Sequence, residues 1–225
     1  MIEKIIYNGR LRMNVLMLFS CLFSLILVIY RVHSTGSITY VFLIWNLILA
    51  LIPFGITSLI TSNSSIEKSK IGFWLLFICW FVFIPNAPYI ITDLFHLRFT
   101  HSFPIWFDLL LILSFAWNGL ILCYLSIAEM QEVIQRKFSP IYGWIMSLSL
   151  LLLSGFGIYL GRYLRWNSWD LLNNTEQVFF DISERVTSPT MHLRTWGVTL
   201  GFGVFLIIGY LVFKELSRSA HDHKH

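Results

Sequence analysis

Asp93 and His96 stand three residues apart beside a long apolar run, in Ile84-Pro85-Asn86-Ala87-Pro88-Tyr89-Ile90-Ile91-Thr92-Asp93-Leu94-Phe95-His96. On a helix, a carboxylate and an imidazole so spaced converge on one point, where they can hold a divalent ion or work as an acid/base pair. They can equally form a structural network in which Asp93 orders the histidine or pairs with an arginine, because the spacing fixes no third ligand. Asp108, in Pro104-Ile105-Trp106-Phe107-Asp108, is the third candidate catalytic group, although a first-turn aspartate also suits the positive end of a helix. Further along, Gly161-Arg162-Tyr163-Leu164-Arg165-Trp166-Asn167-Ser168-Trp169-Asp170 puts two guanidinium groups on adjacent turns. Their planar donors suit a carboxylate, a phosphate or a lipid headgroup, and the ordinary alternative is an interfacial anchor of Trp, Tyr and Arg. Asn86, Tyr89, Arg162, Arg165 and Asp170 are thus the candidate ligand-binding residues.

These groups need elements to position them. Pro88 fits the first turn of a helix running from about Ala87 to Phe99 with Asn86 as its N-cap. At helical periodicity Tyr89, Thr92, Asp93, His96 and Thr100 then form one polar stripe, facing protein, a cavity or the interface. Gly157 with Gly161, and Gly197 with Gly201, are small-xxx-small pairs that make the last two spans candidate packing partners. Segment 173–192 is too polar to span; it is expected to form a short amphipathic helix over the motif face, with Val178, Phe179, Ile182 and Val186 toward lipid or protein. Asn118 can bond across helices, while His101 and His192 are weaker ligand candidates and His33 is incidental.

Composition fixes the solvent of these elements. With 56% hydrophobic and 12% charged residues and a mean hydropathy of +0.71, the chain is far more apolar than a soluble domain, where about 25% of residues are charged. The expected fold is all-α: a single polytopic bundle of six spans near 13–30, 38–60, 71–84, 105–128, 141–160 and 195–213, the third broken by proline, with short interfacial helices and a flexible polar tail at 214–225. Cys21, Cys79 and Cys123 fall in apolar stretches, where a thiol behaves as a small hydrophobe. The basic approach to the first span is not followed by a small-x-small cleavage site, so this span is read as retained. With a cytoplasmic N-terminus, ten of the sixteen Lys and Arg residues lie inside, which favours both termini in the cytoplasm. The formal charge of +4 is then a topology signal and does not argue for nucleic acid as a partner. Independently of orientation, the segments after spans three and five share one face, so the two motifs can meet.

Pro85-Asn86-Ala87-Pro88-Tyr89, Thr92-Asp93-Leu94, His96-Leu97, Trp106, Asp108 and Gly161-Arg162 through Arg165-Trp166-Asn167-Ser168-Trp169-Asp170 together resemble the bacterial integral membrane proteins grouped as domain of unknown function 1361. That resemblance implies a multi-pass protein of the bacterial cytoplasmic membrane and carries no catalytic residues with it. No Walker, dinucleotide, zincin or serine-nucleophile motif occurs. Three readings stay open: a protein that acts on or binds a lipid or anionic envelope molecule at the non-cytoplasmic face, with a divalent metal as a possible cofactor; a noncatalytic partner or sensor whose polar cluster is structural; and a transporter component, in which the break at Pro85 to Pro88 offers backbone groups to a substrate.

Overall fold

The structure is a computed structural model and describes residues 2–97, 103–166 and 170–222. Among the described residues ten α-helices follow in order: α1 (Ile2–Thr35), α2 (Phe42–Ser62), α3 (Ser64–Lys68), α4 (Lys70–Phe83), α5 (Asn86–Tyr89), α6 (Ile105–Lys137), α7 (Pro140–Tyr159), α8 (Asp170–Asn173), α9 (Thr175–Thr187) and α10 (Leu193–Asp222). A 3-10 segment (Ile90–His96) extends α5, a π turn (Leu160–Leu164) extends α7, and a second 3-10 turn (Pro189–His192) leads into α10. No strand occurs among the described residues.

Among the described residues six stretches are long and apolar enough to cross a membrane: Arg10–Thr35, Phe42–Ser62, Lys70–His96, Ile105–Lys137, Pro140–Leu164 and Pro189–Ser219. Their outward positions carry Leu, Ile, Phe and Trp side chains, as expected where lipid replaces water. The fold is therefore the expected all-α bundle of apolar spans. The third span continues beyond Ile84, through α5 and the 3-10 segment, to His96. Helix α10 runs on through Asp222, over most of the stretch expected to form a polar tail.

Helix α6 is the axis of the bundle. It packs on α1, α2, α5, the first 3-10 segment, α7 and α10, and its Leu111, Ile112, Phe115, Leu122 and Ile127 are fully buried. Helix α1 runs antiparallel to it and is pinned at three depths. Arg31 meets Asp108 at 2.6 Å, the Asn118 amide donates to Ser24 Oγ at 2.9 Å and to the Ser20 carbonyl at 3.2 Å, and Arg10 meets Glu129 at 2.9 Å. Asp108, Asn118 and Glu129 are spaced by ten and eleven residues, close to three helical turns, so one face of α6 presents all three.

Glycines set how closely the helices approach. Spans five and six do pack together, but through Gly155 and Gly203: a Cβ on Gly155 would lie 2.3 Å from the Thr199 carbonyl oxygen, and one on Gly203 2.7 Å from Leu152. The last two spans are thus packing partners as expected, with the close contact made by Gly155 and Gly203 rather than by the two small-xxx-small pairs. Gly197 and Gly201 face open space, while Gly157 and Gly161 receive Pro85 and Tyr89, at 2.8 Å from the same hypothetical Cβ atoms. Gly119 of α6 admits the Ala87 carbonyl, which would lie 2.4 Å from a Cβ there. Three glycines thus seat the proline-broken segment between α6 and α7.

Candidate functional site

Proline at 85 and 88 denies the third span its regular α-helical bonds, and the segment answers with shorter ones. Ala87 N–H donates to the Ile84 carbonyl at 3.1 Å, and the Asn86 side-chain amide donates to the Phe83 carbonyl at 2.9 Å. Asn86 therefore serves the preceding helix end and does not cap the next one as its position suggested. Beyond Tyr89 the chain tightens into 3-10 geometry up to His96, with Leu97 extended, so the expected α-helix to Phe99 is also corrected. At three residues per turn Asp93 and His96 are eclipsed on one face. Thr100 and His101, the remaining candidates on this side, lie outside the described residues.

Asp93 is 1% exposed and has both oxygens engaged. Arg162 Nη2 donates to Oδ1 at 2.6 Å, and the Asn46 amide of α2 donates to Oδ2 at 2.8 Å. Thr92 Oγ1 accepts from Arg162 Nε at 3.0 Å and from Nη2 at 2.8 Å, while donating to the Tyr89 carbonyl at 2.7 Å. The guanidinium also lies over the Tyr89 ring, 5.0 Å from its centroid. Two of its three nitrogens are thereby fixed. The third, Nη1, lies 3.4 Å from both ring nitrogens of His96, longer than an ordinary hydrogen bond. His96 Nδ1 is 3.8 Å from Asp93 Oδ1, its ring packs on Phe42 at 5.0 Å between centroids, and its side chain is 41% exposed. The direct contact of residues 162 and 93 puts the ends of spans three and five on one face, as helix parity required.

Arg162 is carried by the π turn, whose wider winding is common at functional sites. The turn closes when Arg165 enters the left-handed region at φ 63° and both its N–H and that of Trp166 reach the Leu160 carbonyl. Arg165 itself is exposed and forms no ion pair among the described residues, so it does not join Asp93. Asp170 opens α8 and accepts from the Asn174 amide at 3.3 Å.

Asp108 also stands apart from Asp93. It is 1% exposed and takes Arg31 Nε at 2.6 Å and Nη2 at 3.1 Å on its two oxygens, with the Tyr40 hydroxyl donating to Oδ2 at 3.2 Å. Phe103 covers the Arg31 guanidinium at 4.3 Å. The proposed three-group catalytic set therefore resolves into two clusters, one around Asp93, His96, Tyr89 and Arg162, the other around Asp108. The start of α2 and the residues just before it link them, since Tyr40 touches Asp108, Phe42 touches His96 and Asn46 touches Asp93. No three His, Cys, Asp or Glu side chains converge on a metal position among the described residues.

Sequence reasoning passed over Asn46, Arg31 and Tyr40. Asn46 carried a usable signal, being a lone amide inside an apolar span, where a polar side chain almost always has a partner.

A family model described as a protein of unknown function (DUF1361) matches residues 45–208, well over half of the chain, and the chain belongs to that family. No curated protein and no solved structure matches it.

Proposed function

We propose that this chain binds an anionic group, the phosphate of a lipid headgroup or of an envelope molecule, between Arg162 and His96 on the non-cytoplasmic face of the membrane. The observation that carries the reading is the state of Arg162. Its Nε and Nη2 are held by Thr92 and Asp93, and Nη1 is turned toward the half-exposed His96 ring. A guanidinium oriented in advance loses little freedom when it meets a phosphate, and an imidazole N–H beside it adds a second donor. Asp93 is then a positioning residue, since its two oxygens accept from Arg162 and Asn46 and orient the guanidinium.

The engagement of both Asp93 oxygens also favours a second reading, in which the cluster only holds α2, the third span and α7 together. The transporter reading gains no comparable support, because the carbonyl of Phe83 at the proline break is answered by Asn86 within the segment.

Purified protein exchanged into detergent with a short-chain phosphatidic acid separates the two. Native mass spectrometry is expected to retain the lipid on the wild-type chain and on Arg136→Gln, whose site lies at the opposite end of the bundle, and to lose it on His96→Ala. Equal retention by His96→Ala would leave the structural reading standing. A parallel titration with inorganic phosphate tells a headgroup preference from simple anion binding.

A further inference from the structure

Helix α9 has no part in the anion reading, and its three sides differ. Toward the protein it turns Val178 and Arg185, 2% and 8% exposed, with Asp181 and Ile182 partly buried beside them. Trp166 Nε1 donates to Asp181 Oδ2 at 2.8 Å, Trp196 Nε1 donates to the Arg185 carbonyl at 3.3 Å, and the Arg185 guanidinium lies 5.9 Å from the Tyr159 ring centroid. Tyr159 is the last residue of α7, Trp166 follows its π turn, and Trp196 is in the first turn of α10. Helix α9 therefore lies across the ends of two membrane spans.

A second side carries Phe179 and Val186, 61% and 55% exposed; seven residues apart, they fall two turns along one face. After α9, Met191 and Leu193 are 85% and 74% exposed, and Leu193, Leu200 and Val204, spaced by seven and four residues, share one outward face of the sixth span. The third side holds Glu176, Ser183 and Thr187, with Phe180 among them. We propose that α9 is docked on lipid, its Phe179–Val186 stripe entering the leaflet on the site's side while the Glu176–Ser183 side faces water. The place of α9 across the ends of two apolar spans identifies the occupant as lipid, and a helix with one apolar stripe beside a mainly polar side is the form that lies in an interface. The Trp166–Asp181 bond ties this docked helix to the turn that carries Arg162.

The test places single cysteines at 176, 179, 183 and 186 in a chain whose Cys21, Cys79 and Cys123 are replaced by alanine. Each is labelled with an environment-sensitive nitrobenzoxadiazole dye in nanodiscs of phosphatidylcholine and phosphatidylglycerol. Lipids spin-labelled near the headgroup end of the acyl chain are expected to quench positions 179 and 186 several-fold more than 176 and 183. If Phe179→Cys does not fold, Val186→Cys reports the same face. Equal quenching at all four positions overturns the proposal. So does blue-shifted emission at 179 and 186 without lipid quenching, which would mean that a protein surface, including a second copy, covers the stripe.

Discussion

At the scale of single residues, the site depends on a buried charge pair whose value lies in orientation. An Arg–carboxylate pair removed from water gains little net stability, yet stripping one partner leaves a buried charge uncompensated at a cost of about 3–5 kcal/mol. Asp93→Ala is therefore expected to lower stability in detergent by about 3 kcal/mol or more, read as a large drop in thermal midpoint. His96→Ala, at a half-exposed position, is expected to leave the midpoint within a few degrees of wild type. Similar midpoints for the two variants would show that Asp93 and Arg162 are not paired as described. The pair was partly legible in the sequence, because parity put Arg162 and Asp93 on one face. The pairing of Asp108 was not. Arg31 read only as a topology charge, Asp108 had a sufficient explanation as a first-turn aspartate, and nothing local joins residues 77 positions apart.

At the scale of elements, the proline-broken span is held by what its neighbours lack. Gly119→Ala would drive a methyl into the Ala87 carbonyl, a backbone group that cannot swing aside, and is expected to cost about 1–3 kcal/mol. Gly201→Ala meets nothing within 4 Å and is expected to be close to neutral. Comparing the two thermal midpoints checks the seating of the break, and equal effects would contradict it. The small-residue pattern in the sequence announced the packing of the last two spans correctly but not which glycines make it. Such spacing shows that a backbone can approach, and the approaching surface is chosen by helix rotation, which the pattern does not encode. Likewise a polar stripe read at 3.6 residues per turn does not anticipate the 3-10 winding from Ile90 to His96.

At the scale of the whole molecule, six apolar runs made the bundle legible, since hydropathy over a span is a strong signal. What it did not reveal is that α1 joins the bundle by polar pins at three depths, each made with α6. Exchanging the outer pair, Arg31→Asp with Asp108→Arg, is expected to recover part of the stability lost by either single change, a coupling of roughly 0.5–3 kcal/mol in a double-mutant cycle. Additive losses would mean that the pair does not hold α1. Arg31 and Tyr40 lie outside the residues matched by the family model, while Asn46, Asp93, Asp108 and Arg162 lie within them. The bundle as a whole thus presents one oriented guanidinium, beside one half-exposed imidazole, at the end where spans three and five meet. The most direct test is equilibrium binding of a short-chain phosphatidic acid to the purified full-length chain, compared with His96→Ala and Arg162→Lys. Saturable binding, weakened about tenfold or more in both variants, is expected, because a tenfold loss corresponds to about 1.4 kcal/mol, the scale of one charge-assisted hydrogen bond. Undiminished affinity in both variants, or no saturable binding by the wild-type chain, would contradict it.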